Sequence, residues 1–450
     1  MAVRGSVLVV GGGSAGTAAA RILADADFRV TVAEPGKLGG LCLWRGCVPK
    51  KALYRSADVL RLTRSAEQFG VLPGEPALDW QGVLAWKWHA QETYAGDQEA
   101  LLAARGIERV DAPARFLSPE TLEVGGSVLA PDHVVVAAGS EPVVLGIPGA
   151  ELADVSDDVL HYPEPPESLL VIGGGYVGME FASAYALFGT EVSVVTDGVR
   201  VLEHADAEAA GVVTKRMAAT GARFVTGARV SAIEGEPGAL RTYYETPREK
   251  SSIGSQRVLM AAGRRPALSE LDLATGGVET DERGRPVLDE ALRSVSNPRV
   301  FFAGDARGDL MLTPLASYDG RLAARSIVGG GPLPHDAVVP QVTFTHPPIG
   351  QVGLTEEAAA ARGLAVRVGR QPFEPLGAAI IDDERTGFVK LLFAADDGRL
   401  VGAHVAGVAA PELVWALALA VRVRATAEDM RATLGVHPAF CEALNWAAWA

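Results

Sequence analysis

One pattern occurs twice in this chain, and it constrains the fold more than any other feature. SVLVVGGGSAGTAAARILADADFRVTVAE (residues 6–34) is an apolar run, a glycine cluster, an alanine-rich helical stretch and a second apolar run closed by an acid. SLLVIGGGYVGMEFASAYALFGTEVSVVTD (168–197) repeats that order. A continuous apolar run ending in glycine reads as a parallel strand buried on both faces, with the glycines opening a crossover helix. Two such β-α-β units predict an α/β protein with two Rossmann-like dinucleotide-binding domains, not one large sheet.

In Gly11-x-Gly13-x-x-Gly16 the first glycine permits the tight turn and the second lets backbone approach a pyrophosphate. The third allows close helix-strand packing, and the helix N-terminus faces the phosphate charge. Glu34 closes the next strand, where an acid bonds ribose hydroxyls. Gly173-x-Gly175-x-x-Gly178 has the same context, but its second strand ends Val195-Thr196-Asp197. Asp197 suits an unphosphorylated ribose. Arg200 either pairs with a 2′-phosphate or is a solvated loop charge, so NADH and NADPH both stay open.

The 450 residues give room for about three domains at ~150 residues each. A formal charge of −14 argues against sequence-independent affinity for nucleic acid or an anionic membrane. No apolar run approaches the ~20 residues that span a bilayer, and no secretory signal is visible. From about residue 335 two-residue alternation with hairpin signals sets in, followed by the helical PELVWALALAVRVRA, which predicts an α+β third domain. Three cysteines build no disulfide framework and suit a reducing compartment, so the expected location is the cytoplasm. Two of them lie in GGLCLWRGCVPKKAL (39–53). By themselves Cys42 and Cys47 read as a redox pair, half of a metal site, or two small core residues. Two dinucleotide sites with a dithiol between them suggest an electron path.

With these residues in place, the sequence resembles the class I flavoprotein (pyridine nucleotide) disulfide oxidoreductases. That family includes glutathione reductase, trypanothione reductase, dihydrolipoyl dehydrogenase and mercuric reductase. The resemblance covers essentially the whole chain in order: GGGSAG, GGLCLWRGCVPKKAL, APARF, VVVAAGSEP, IPG, GGGYVGMEFA, AAGRRP, FFAGD, LTPLASYDGRLAA, FTHPPIGQVGLTE and HPAFCE. It implies FAD held by Gly11, Gly13, Ser14, Gly16 and Glu34, with Ala114 and Gly139 along its adenine half. Arg264 joins that set, and Asp305 bonds the ribityl chain. It implies NADPH or NADH held by Gly173, Gly175, Tyr176, Gly178, Arg200 and Gly263. Cys47 becomes the thiol beside the flavin and Cys42 the thiol that meets substrate, with Lys50 near the flavin and paired to Glu180. His437 and Glu442 match an acid-base dyad that the family supplies from the neighbouring subunit, which implies a homodimer with a shared active site. The implied domains are 1–145 (FAD, first part), 146–264 (NAD(P)), 265–333 (FAD, second part) and 334–450 (dimerisation).

In substrate-linked positions the motifs lie nearest to glutathione reductase. Tyr176 and the LTP at 312–314 match it, and Arg21 and Arg321 fall where that enzyme binds peptide carboxylates, although both also fit ordinary helix-surface arginines. Tyr94 stands about one turn out of register with an expected substrate tyrosine, and Trp44-Arg45 replaces the usual pair between the cysteines. The expected substrate is therefore a small disulfide. Dihydrolipoyl dehydrogenase is an alternative, as is a mercuric-reductase-like activity, against which His437 and the missing C-terminal cysteine pair argue. In a different class, Cys42, Cys47, His437 and Cys441 form a zinc site or a thiol sensor; the reading adopted contains no metal. Cys441 otherwise reads as a packed small residue or a modulating thiol.

Overall fold

The computed structural model describes residues 4–329, 331 and 333–450. Its contacts gather into two units. The first comprises Met1–Ala52, Leu84–Val143 and Arg264–Ala337, and the second Leu53–Val83, Val144–Gly263 and Val338–Ala450.

In the first unit the strand Ser6–Val10, the helix Ser14–Asp25 and the strand Arg29–Ala33 form where the apolar runs and glycines place them. Five parallel strands follow the order Val300–Phe302, His133–Val136, Ser6–Val10, Arg29–Ala33, Glu108–Val110. Val7, Leu8 and Val9 are buried on the central strand. One sheet face packs Ala19, Ala20 and Leu23 together with Ala323, Ala324 and Ile327 of the helix Thr313–Gly329. The other face carries Phe116, Leu122, Val134 and Phe302. The two helices approach backbone to backbone: a Cβ on Gly320 would lie 2.1 Å from the Ala15 carbonyl oxygen.

The second unit repeats the parallel theme in the order Arg223–Val225, Glu191–Val195, Ser168–Ile172, Arg257–Met260, with the helix Tyr176–Phe188 after the glycines. An antiparallel sheet of Arg229–Glu236, Ala239–Glu245 and Lys250–Ser255 follows, which the sequence reading does not anticipate. The C-terminal region folds as the expected α+β element. Its five antiparallel strands run Gln341–Thr343, Ile349–Gly353, Leu400–Ala406, Phe388–Ala394, Val366–Pro372, covered by Ala410–Arg422 and Glu442–Trp449.

Where the motifs suggest separate NAD(P) and dimerisation segments, the contacts place 144–263 and 338–450 in one unit. A buried ion cluster helps explain why. Lys390 Nζ reaches both Asp206 carboxylate oxygens at 3.1 Å, Glu356 at 2.8 Å and Glu208 at 3.1 Å. Burial alone would push this lysine down, but the carboxylates around it raise it above its ordinary value. Among the described residues no helix is long and apolar enough to cross a membrane.

Gly320→Ala forces a methyl onto the Ala15 carbonyl and displaces the helix that carries the first glycine loop. We expect a loss of about 1–3 kcal/mol in denaturant melts, with less flavin retained through gel filtration.

Candidate active site and cofactor loops

The first glycine loop is closed on the sheet side and open in front. Gly11 has φ +105°, and a Cβ there would lie 2.2 Å from the Ala137 carbonyl oxygen; one on Gly16 would lie 1.9 Å from the Gly11 oxygen. A Cβ on Gly13, just before the helix that begins at Ser14, would meet only Gly40 Cα, 3.8 Å away. The exposed helix N-terminus therefore fits a pyrophosphate. Glu34 accepts from Gly12 N (2.7 Å) and Gly36 N (2.8 Å), which aims its carboxylate back at the loop with lone pairs to spare for hydroxyls.

Asp305 follows the strand Val300–Phe302, and burial pushes its carboxyl up. Ser140 donates to it at 2.6 Å and Arg264 donates to Ser140 Oγ (2.9 Å) and Ser140 O (2.8 Å). Gly139 has φ +76° with nothing within 4 Å of its missing Cβ, and Ala114 is buried in the strand Ala114–Phe116. These groups in one unit fit the extended FAD expected from the motifs.

The same unit holds the dithiol. Cys42 lies in the one-turn helix Gly40–Trp44, and Cys47 opens the helix Cys47–Arg64, where the helix dipole favours negative charge on sulfur. Both are thiols, Cys47 exposed and Cys42 half-buried. The hydrogen bond from Cys42 to Cys47 and then burial push the Cys42 thiol well up. Thr313 Oγ1 lies 3.2 Å from Cys47 Sγ. Lys50 is half-buried one turn into the same helix.

Trp44 is fixed by packing: its indole N–H donates to Leu38 O at 2.7 Å, and Lys37 Nζ sits 4.5 Å from the ring centroid. Arg45 is exposed beside it. Arg21 and Arg321 are exposed on the helices Ser14–Asp25 and Thr313–Gly329. Tyr94 is 71% exposed.

In the second unit, His437 Nδ1 lies 3.0 Å from Glu442 Oε1, and Glu442 Oε2 accepts from Ala439 N at 3.1 Å. These contacts hold Glu442 below the usual carboxylate range. The carboxylate is nearly covered while the imidazole side chain is 76% exposed, so the histidine is oriented yet accessible. Cys441, between them in sequence, points its sulfur at Val436 O, 3.8 Å away. Glu180 is buried and accepts from Phe344 N at 2.8 Å. Among the described residues no group of three or more His, Cys, Asp or Glu side chains is placed to hold a metal ion.

The second glycine loop copies the first. A Cβ on Gly173 would lie 2.3 Å from Ala261 O and one on Gly178 2.4 Å from Gly173 O, whereas Gly175 faces open space. Tyr176 begins the helix and is 39% exposed, and Gly263 has φ +124°. Arg200, which by sequence is either a 2′-phosphate partner or a loop charge, has protein partners. Its guanidinium donates to Glu203 O (3.0 Å), Ala205 O (3.2 Å) and Glu357 Oε2 (3.1 Å), binding the loop to itself. Two further residues escaped the sequence reading. Lys87 and Gln91, on the helix Trp80–Ala95, are both fully buried, and burial lowers Lys87 to about 8. The apolar pattern of that helix hides them, since Trp86 and Trp88 are the exposed side chains.

Residues 5–320 match the model of the pyridine nucleotide-disulphide oxidoreductase family, and residues 339–448 match that family's dimerisation domain. The chain is 32% identical to a dihydrolipoyl dehydrogenase of Geobacillus stearothermophilus over 448 residues, covering 98% of this chain and 95% of that one. It is 33% identical to a glutathione reductase of Burkholderia cepacia over 437 residues, covering 97% and 96%. Among solved structures it is similar to the HOCl-induced flavoprotein disulfide reductase RclA from Escherichia coli, with TM-score 0.87, 25% identity and 98% of both chains covered.

Arg200→Met removes donors from two loop carbonyls, and we expect a loss of about 1–2 kcal/mol in urea melts. Its KM values for NADH and NADPH should change by the same factor; a rise for NADPH alone would restore the 2′-phosphate role.

Proposed function

The chain belongs to the pyridine nucleotide-disulphide oxidoreductase family, and from its membership of these NAD(P)H- and FAD-dependent enzymes we propose that Cys42 and Cys47 are its redox pair acting on a small disulfide. The observation that carries the assignment is the placement of the two cysteines, Cys42 in the one-turn helix Gly40–Trp44 and hydrogen-bonded to Cys47, which opens the helix Cys47–Arg64. Bound FAD would supply the two-electron redox chemistry that links a nicotinamide coenzyme to a protein disulfide.

The chain's own residues divide the remaining work. Gly11, Gly13, Ser14, Gly16 and Glu34 would hold the FAD pyrophosphate and ribose, and Ala114, Gly139, Ser140, Arg264 and Asp305 would complete the set. Lys50, one turn after Cys47, would bring positive charge to the redox centre. Gly173, Gly175, Gly178, Tyr176 and Gly263 receive the nicotinamide coenzyme. Cys42, once deprotonated, attacks one sulfur of the substrate disulfide and expels the other as a thiolate. Cys47 then attacks the mixed disulfide, releasing the second substrate thiol and closing the Cys42–Cys47 bond. His437, oriented by Glu442, moves the protons of these steps.

The match of residues 339–448 to a dimerisation domain supports a homodimer in which each subunit lends His437 and Glu442 to its partner's dithiol. The near-equal identities to a dihydrolipoyl dehydrogenase and a glutathione reductase favour neither substrate. Arg21 and Arg321 are the anion-binding residues of the reading that takes a peptide disulfide. The low cysteine count supports work in the reducing cytoplasm.

Two-electron reduction of the yellow holoenzyme should produce a long-wavelength thiolate-to-flavin absorption band that disappears in Cys47→Ser. A flavin-loaded enzyme without that band would overturn the dithiol assignment. Coupled assays with oxidised glutathione, lipoamide and coenzyme A disulfide then rank substrates by kcat/KM. Glu442→Gln should lower kcat by about 10²-fold with the best of them, leaving the absorption band intact.

A further inference from the structure

The backbone between the two cysteines presents an unusual hydrogen-bond problem. The helix Gly40–Trp44 is one turn long and ends where Arg45 leaves helical geometry at φ −136°. A helix this short leaves its last carbonyls without partners of its own. Arg45 N takes the Leu41 carbonyl, and Lys50 N takes that of Gly46. The carbonyls of Leu43 and Trp44 are served from elsewhere: Gln91 Nε2 donates to both, each at 3.0 Å.

Gln91 is fully buried, and its own Oε1 has no hydrogen-bond partner among the described residues. A buried amide with an unsatisfied oxygen is costly, and an apolar side chain at this position would avoid that cost. Both amide hydrogens go to the segment joining the cysteines. The opposite side of that segment is pinned by the Trp44 indole on Leu38 O. Cys42 lies just before the clamped carbonyls and Cys47 just after them, so the clamp fixes the span over which the two sulfurs meet.

We propose that Gln91 is a positioning residue of the redox centre: its amide holds the Leu43 and Trp44 carbonyls and so sets the disulfide-dithiol balance of Cys42 and Cys47. The proposal rests on the reading of these cysteines as the redox pair. A clamped loop keeps each thiol at high effective concentration toward the other, which favours the disulfide. Releasing the clamp lowers that concentration and makes the disulfide easier to reduce. In exchange with dithiothreitol, one dithiol reductant becomes its cyclic disulfide while the protein disulfide becomes two thiols, so electrons and protons balance.

The test equilibrates FAD-loaded parent, Gln91→Met and Gln91→Asn enzymes in graded ratios of reduced to oxidised dithiothreitol. Thiols are then trapped with an alkylating agent, and the peptide carrying Cys42 and Cys47 is read by mass. Met keeps the length without a donor, and Asn keeps an amide one methylene short, so either folded variant suffices. We expect half-reduction at a ratio about tenfold lower than in the parent, with flavin content unchanged. Midpoints within twofold of the parent, even with lowered melting temperatures, would reduce Gln91 to a packing residue and overturn the proposal. A parent whose cysteines never interconvert between disulfide and dithiol would instead overturn the redox-pair reading on which the proposal rests.

Discussion

Backbone meets backbone at a few glycines where no methyl fits, and the placement of the cofactor loops depends on those approaches. Gly16 lets the first helix settle onto the turn at Gly11, and Gly320 lets a second helix settle onto the first at Ala15. Because the sheet strand, the turn and both helices are thus in van der Waals contact through main chain, the open side of the loop is left at Gly13, before the helix N-terminus. Gly173, Gly178 and Gly175 repeat the arrangement in the second unit. The open loop is here the by-product of dense packing behind it.

Around that frame, buried polar groups are placed by the need to find partners. Asp305 sits in a covered position where burial disfavours its charge, and Ser140 with Arg264 keeps the carboxylate directed. Lys390 is ionised in the interior because three carboxylates surround it, and the same contacts bring Asp206, which also caps the helix Ala207–Ala219, against the C-terminal sheet. Gln91 serves two carbonyls that a one-turn helix cannot satisfy. Each of these residues is polar for a reason located in a distant stretch of chain.

Much of the chemistry was legible without coordinates. The paired glycine loops with their flanking apolar runs, the acid at Glu34, the Cys42–Cys47 spacing and the His437–Glu442 spacing are local patterns; the structure forms the strand-turn-helix at the first loop, bonds Glu34 to Gly12 N and sets His437 beside Glu442. What escaped was non-local. In WKWHAQETYA the tryptophans look like the buried face and the lysine and glutamine like the wet one, and the helix does the opposite. Arg200 read as a candidate phosphate ligand because its carbonyl partners at 203 and 205 are ordinary backbone and leave no mark in composition. The antiparallel sheet from Arg229 to Ser255 has strands whose apolar alternation is diluted by charged and small polar residues.

The sequence by itself determined two β-α-β units opening on glycine loops and a C-terminal α+β region, since glycine spacing and apolar periodicity act over a few residues at a time. Tertiary structure alone decided which cysteine is the more covered, which arginine is bound to its own loop, and which helix face is buried. Those outcomes depend on burial and on hydrogen-bond partners separated by tens of residues: Cys47 against Thr313, Gln91 against Leu43, Lys390 against Asp206. Desolvation raises or lowers a charge, and an unsatisfied carbonyl recruits a donor, only after the chain has brought those groups together.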